Sequence, residues 1–264
     1  MRRLSRAIRG NETTAPALPN MFPSLAERGI SIRTGEVSMI AGMPAAGKSM
    51  LALALAVRAK VPTVYLSADS HMHTQSMRLI SMVTDTEQSV VEQVMEDKDW
   101  ASGILKENDY MWWSFHSNPT AGLISDTVDA HIELYGSPPA LFILDNLTDC
   151  LVDGDEFGGM RGFLKDMKFL AREHNMAVVV LHHTSEGVPV APGQCPPRFS
   201  LQGKVSQTPA LVITVTNESG HLGVCPVKNR YGASAPGGNE VTWFTYDPGR
   251  CLVSEVQGQE LLYA

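Results

Sequence analysis

The run Gly42-Met43-Pro44-Ala45-Ala46-Gly47-Lys48-Ser49 satisfies every fixed position of the pattern G-x-x-x-x-G-K-[ST]. Glycines at its two ends let backbone N–H groups turn toward an anion. A helix starting at the lysine adds the positive end of its dipole to the same spot. Lys48 then offers a point charge to β- and γ-phosphates, and Ser49 offers a hydroxyl to Mg²⁺. Met50 follows directly and belongs to the same lining. The chemistry is capture of a nucleoside triphosphate, read here as ATP with Mg²⁺. The plainer alternative is a strand-to-helix turn with a surface lysine. The flanks argue against it, because the apolar run Val37–Ala41 precedes the loop and the Ala- and Leu-rich run Met50–Lys60 follows it.

A second acidic position fits the same chemistry. Leu141-Phe142-Ile143-Leu144 is apolar and ends on Asp145. The carboxyl end of a buried parallel strand faces the crevice where ligands bind. An acid there serves Mg²⁺ opposite Ser49. Asp149, Asp153, Asp155 and Glu156 follow closely and read as a solvated acidic loop.

The elements that must hold these residues alternate. Strands are predicted at Val37–Ala41, Thr63–Leu66, Tyr110–Phe115, Leu141–Leu144 and Ala177–Leu181. Helices are predicted at Met50–Lys60, Gln75–Val83, Glu87–Met95, Leu123–Leu134 and Met160–His174. Such alternation implies an α/β protein with a mostly parallel central sheet covered by helices on both faces. Beyond Thr184 the pattern changes. Glu186–Gly203 is rich in Pro and Gly and reads as a long loop without periodicity. Ala210–Val215, Leu222–Lys228, Val241–Tyr246 and Leu252–Val256 then read as antiparallel strands extending the sheet. Residues 1–29, with Arg2, Arg3, Arg6 and Arg9 followed by Pro16, Pro19 and Pro23, are expected to be an N-terminal arm or linker, and 30–264 a single domain. That lead reads either as a flexible tail or as an arm packing on a neighbouring subunit.

With 264 residues and 44% hydrophobic content, the chain carries one substantial core and not two α/β domains. A net charge of -7 speaks against non-specific coating of nucleic acid, though not against a local basic strip. Cys150, Cys195, Cys225 and Cys251 form no Cys-x-x-Cys pair, which suggests reduced thiols in a cytosolic setting. The N-terminus lacks the apolar core of a signal peptide, and no apolar run is long enough to span a bilayer. The expectation is a cytoplasmic protein without a membrane partner, a description that leaves room for a phage or plasmid protein in a bacterial host.

The order of these motifs resembles the RecA-like P-loop NTPase core of DnaB-type ring helicases and related phage and plasmid ATPases, from about Arg33 to Phe244. Five stretches carry the resemblance: "RTGEVSMIAGMPAAGKSMLALALA", "VYLSADSHMHTQSMRLI", "LFILDNL", "LKDMKFLAREHNMAVVVLHHT" and "VKNRYG". It implies roles for individual residues. Asp69 stands where the family keeps the glutamate that orients and deprotonates the attacking water; aspartate is one methylene shorter. His183 aligns with the polar sensor of the γ-phosphate, with His182 beside it. Lys228 and Arg230 align with a basic pair acting on the neighbouring subunit's nucleotide. Arg78 matches an arginine on the helix after Asp69. Plainer readings stand beside these: a helix N-cap for Asp69, core histidines, solvated hairpin charges, and a structural salt bridge for Arg78.

The resemblance also implies ATP and Mg²⁺ as cofactors, a homo-oligomer of hexameric ring form, and single-stranded DNA in its central hole. Arg198 and Lys204 are the cations placed to grip that strand, with Phe199 the aromatic of the loop. The function expected is an ATP-driven DNA helicase or translocase in replication, recombination or repair. A RecA-like ATPase that binds DNA without unwinding, or a nuclease built on an ATPase core, are the alternatives.

Overall fold

The computed structural model describes residues 15–19 and 22–256. One sheet of nine strands runs through it, in the order β3-β2-β4-β5-β1-β6-β7-β8-β9. The strands are β1 (Val37–Gly42), β2 (Thr63–Ser67), β3 (Met111–Ser114), β4 (Leu141–Asp145), β5 (Ala177–His183), β6 (Leu211–Glu218), β7 (His221–Asn229), β8 (Thr242–Asp247) and β9 (Leu252–Glu255). From β3 across to β6 all neighbours are parallel, and from β6 to β9 all are antiparallel. This is the mixed α/β RecA-like architecture expected, with its C-terminal antiparallel extension.

The helices are α1 (Pro23–Glu27), α2 (Lys48–Ala59), α3 (Met72–Thr84), α4 (Gln88–Val94), α5 (Lys98–Lys106), α6 (Ala121–Tyr135) and α7 (Glu156–Glu173). Strands β1, β2 and β4 are buried at every residue, as continuous apolar runs covered on both faces must be. Successive side chains go to opposite cores: Ile40 packs with the α2 leucines, whereas Met39 and Ala41 pack with Phe163 and Met167 of α7.

Helix α2 is buried nearly all round, from Leu51 to Ala56. Its outer side is covered by part of the lead expected to be an arm or linker. Phe22 and Leu25 are fully buried, worth about 1.5–3 kcal/mol each. The Phe22 ring lies 4.8 Å from that of Phe244, and the Arg58 guanidinium sits 4.4 Å over it. Residues 22–29 therefore belong to the packed body. Arg2, Arg3, Arg6 and Arg9 lie outside the described residues.

Two further features were not anticipated. Helix α5 is capped by Asp97, whose carboxylate accepts from the Asp99 and Trp100 amides at 3.1 Å. The segment after β5 is tied down along its second half. Thr184 bridges Leu201, and the Ser185 amide donates to Ser200 O at 2.8 Å. The Cys195 and Arg198 amides donate to Gly238 O and Pro236 O at 2.9 and 2.8 Å. Gly238 has φ +80°, and a Cβ there would collide with the Cys195 carbonyl, so only glycine fits that crossing. Pro196, Pro197 and Ser200 are thus buried, whereas Phe199 and much of the stretch before Cys195 stay exposed.

Candidate nucleotide-binding site

Strand register assembles the site. Gly42 pairs with His183 of β5 on one side and Val215 of β6 on the other, and Ser67 pairs with Asp145. The carboxyl ends of β1, β2, β4 and β5 therefore share one edge of the sheet. The loop between Gly42 and α2 leaves from the middle of that edge. Gly47, at the N-cap of α2, has φ +92°, and a Cβ there would come within 2.8 Å of Leu222 Cδ1. Conformation and space both demand glycine.

Lys48 opens α2 and is 7% exposed. Its Nζ donates to Met43 O at 2.8 Å and Gly42 O at 3.2 Å, and lies 3.4 Å from His183 Nδ1. Burial lowers the pKa of the Lys48 amine, while the charges of Asp145 and Asp69 act to raise it. Burial, with the Lys48 charge adding to it, also lowers that of His183. A neutral imidazole beside a cation keeps one ring nitrogen free to accept.

Asp145 is 5% exposed and accepts a hydrogen bond from Tyr65 Oη at 2.9 Å. Burial pushes its carboxyl above the usual range; the Ser49 and Tyr65 hydroxyls and the Arg78 charge oppose that rise. A hydroxyl and a carboxylate side by side are hard oxygen donors, the set that suits Mg²⁺ alongside phosphate oxygens. Ser49 and Asp145 would hold it. Among the described residues no three His, Cys, Asp or Glu side chains converge into a metal centre of their own. Asp155 instead caps α7, accepting from the Gly158 amide at 2.9 Å.

Asp69 lies exposed in the bend after β2, close enough for its charge to act on Lys48, Asp145 and His183. It does not cap α3, whose N-cap is His71. Arg78 donates to Ser70 Oγ at 3.4 Å and faces Asp145 electrostatically. Asp149 joins the same cluster; burial, Asp69 and Asp145 raise its pKa. Its Oδ2 is buried without a hydrogen-bond partner. His182 points away from Lys48. It is fully buried and meets Gln202 O at 3.0 Å through Nε2, the core-histidine arrangement.

The remaining predicted residues stand elsewhere. Lys228 Nζ donates to the carbonyls of Ser206, Gln207 and Pro209 at 2.8, 2.8 and 2.6 Å. Arg230 pairs with the buried carboxylate of Glu36 at 3.1 Å. Both lie at the foot of the sheet: the Arg230 amide bonds Ala210 O, and the Ala210 amide bonds Val37 O. Six residues of β1 separate that level from the phosphate loop, about 17 Å at the rise of a strand. Arg198 donates through Nε to Ser206 Oγ at 3.2 Å, so it shares Ser206 with Lys228. Lys204 is exposed at φ +53°, and Phe199 is 78% exposed.

Fold and site together define a RecA-like P-loop domain. Residues 28–187 match the family model described as the AAA domain, and the chain belongs to that family. It is 29% identical over 250 residues to the gene 65 protein of Mycobacterium phage L5, covering 90% of this chain and 92% of that protein. The gene 65 protein of Mycobacterium phage D29 is 31% identical over 222 residues, covering 76% and 91%. Among solved structures, an ATPase domain superposes with a TM-score of 0.81 at 14% identity, covering 96% of both chains. A DnaB-like replicative helicase, solved in a study of its interactions with primase, superposes with a TM-score of 0.80 at 15% identity. That match covers 96% of this chain and 65% of the helicase. No described helix is long and apolar enough to cross a membrane.

Proposed function

We propose that this protein is an ATP-hydrolysing, DNA-dependent ring motor of the helicase or translocase type, acting on DNA inside a bacterial host. The observation that carries this reading is the meeting of Lys48, Ser49, Asp69, Asp145 and His183 at one edge of the sheet, from four separate strand ends. Backbone amides of Gly42–Lys48 and the start of α2 would cradle the phosphates. Ser49 and Asp145 would hold Mg²⁺, which would supply charge neutralisation at the phosphates. Asp69 orients the attacking water and accepts its proton, its exposure leaving it open to solvent. His183, whose Nδ1 faces Lys48 as an acceptor, reads the γ-phosphate by donating the N–H of its other ring nitrogen.

The cations at the foot of the sheet support the ring. Lys228 and Arg230 are too far from their own phosphate loop to serve it, which supports service to a neighbour's. A head-to-tail interface that closes makes a cyclic assembly with every site shared by two chains. Arg198, Lys204 and Phe199 supply cations and an aromatic face for single-stranded DNA. The resemblance to a replicative helicase supports a role on DNA.

The decisive comparison is ATP turnover of the wild type and Lys48→Ala, with and without single-stranded DNA. The variant is expected to stay folded and lose nearly all turnover, and the wild type to be stimulated by DNA. Wild-type turnover in Lys48→Ala would overturn the assignment of the site. A forked duplex then tests unwinding: displacement of one strand defines a helicase, and stimulation without displacement defines a DNA-binding ATPase.

A further inference from the structure

Two adjacent residues at the end of β6 hold the two loops that flank β1. Asn217 Nδ2 donates to the carbonyl of Ala45, in the middle of the phosphate loop, at 2.8 Å. Glu218 Oε2 accepts from the amide of Gly193, in the exposed stretch of the long loop after β5, at 3.0 Å. Ala45 carries a side chain yet sits at φ +59°, a conformation that costs an L-residue energy unless something outside holds it. Asn217 is the side chain that reaches it. Asn217 thereby fixes the peptide between Ala45 and Ala46, whose amide closes the turn of the loop onto Met43 O at 3.2 Å.

The path of the long loop gives the second half of the argument. It starts at the phosphate loop, where the Thr184 amide donates to Gly42 O at 3.2 Å. Strands β5 and β6 lie on either side of β1 in the sheet. Running from the end of β5 to Gly193 on Glu218, residues 185–193 therefore cross from one flank of the phosphate loop to the other. Glu186, near the start of that crossing, acts electrostatically on His183. Thr216, one residue before Asn217, lies beside the buried Cys195.

We propose that the end of β6 is the link between the nucleotide and the long loop: Asn217 positions the phosphate loop, and Glu218 fastens the crossing segment to the same strand end. The inference rests on the phosphate loop binding a nucleotide, and it adds a positioning residue and a route of regulation to that site. A phosphate drawing in the loop amides moves the Ala45 peptide, and with it Asn217. Glu218, the next residue on the same strand end, carries the movement to Gly193. The segment so moved leads directly into Arg198 and Phe199.

Hydrogen exchange of the amides from Gly187 to Gly193, with and without a non-hydrolysable ATP analogue, reads the link without any turnover. Fluorescent-nucleotide titration on the same samples gives affinity. In the wild type the analogue is expected to change exchange across this stretch. Asn217→Ala should weaken nucleotide binding about threefold to tenfold, the worth of one hydrogen bond, and at saturating analogue should no longer transmit a change. Asn217→Asp, which sets a carboxylate against the Ala45 carbonyl, should weaken binding further. Glu218→Ala should bind nucleotide within about twofold of wild type, since the carboxylate touches the long loop and not the phosphate loop, while Gly193 exchanges fast in both states. If wild-type exchange in this stretch ignores bound nucleotide, or Asn217→Ala binds as the wild type does, the link is overturned while the nucleotide site stands. If the wild type binds no nucleotide, the site assignment itself falls and the link with it.

Discussion

Glu36 and Arg230 form an ion pair at 3.1 Å across 194 positions of sequence, at the end of the sheet remote from the phosphate loop. The carboxylate is buried, and Arg230 keeps 38% of its side chain exposed. Tyr231 Oη donates to the same carboxylate at 2.7 Å, and Arg172 lies 4.0 Å from it. The pair holds the half-exposed guanidinium at this end of the sheet, the face that the proposed ring would turn toward a neighbouring chain's nucleotide. Loss of a trans-acting arginine reduces rate by about 10³–10⁵. Arg230→Ala alone and Lys48→Ala alone are both expected to be inactive. Mixed and co-assembled, they form some interfaces with an intact Lys48 facing an intact Arg230, and ATP turnover should partly return. Full activity of Arg230→Ala by itself would remove the role.

Asp69→Asn should leave nucleotide affinity nearly unchanged and cut turnover. A positioned general base contributes roughly 10²–10⁴-fold. Nucleotide titration beside steady-state turnover separates binding from chemistry. A fall of less than about threefold, far below what a general base supplies, would shift the search to other acids, Asp149 beside Asp69 and Asp145 first.

Arg198→Ala combined with Lys204→Ala should weaken single-stranded DNA binding and flatten its salt dependence. Each DNA phosphate that the protein no longer neutralises reduces the log–log slope by about 0.7 for a single strand. Because Arg198 also supports Ser206, thermal unfolding of the variant should accompany the titration. An unchanged slope would clear this loop of any grip on the backbone.

His182 should make the fold sensitive to acid. Burial pushes its pKa down from 6.5 to about 4. The unfolded chain takes up a proton near pH 6.5, and the native imidazole resists until about pH 4. Protons bind more tightly to the unfolded state in that window, so stability falls as pH falls through it. At 1.36 kcal/mol per pKa unit the effect is about 3 kcal/mol at its limit. Urea unfolding at several pH values should show the decline, and His182→Gln should flatten it. An identical acid limb in that variant would assign the decline to other groups.

The chemistry was most legible where it is contiguous. Gly42 to Ser49 are neighbours in sequence, and their flanking strand and helix are set by local apolar pattern, so the sequence by itself determined the phosphate loop. Alternating strands and helices likewise determined the parallel sheet, because a strand buried on both faces must be apolar throughout, as Leu141–Asp145 is until its last residue. The register that brings Asp145 level with Ser67, and His183 level with Gly42, exists only in the folded sheet. Tyr65 left one signal, since a tyrosine inside a fully buried strand must find a partner for its hydroxyl. Nothing local told that Phe22 and Leu25 would cover α2, that Glu36 would claim Arg230, or that Asn217 would reach Ala45. Those pairings join positions far apart in the chain, and only close packing of the assembled sheet decides which side chains meet.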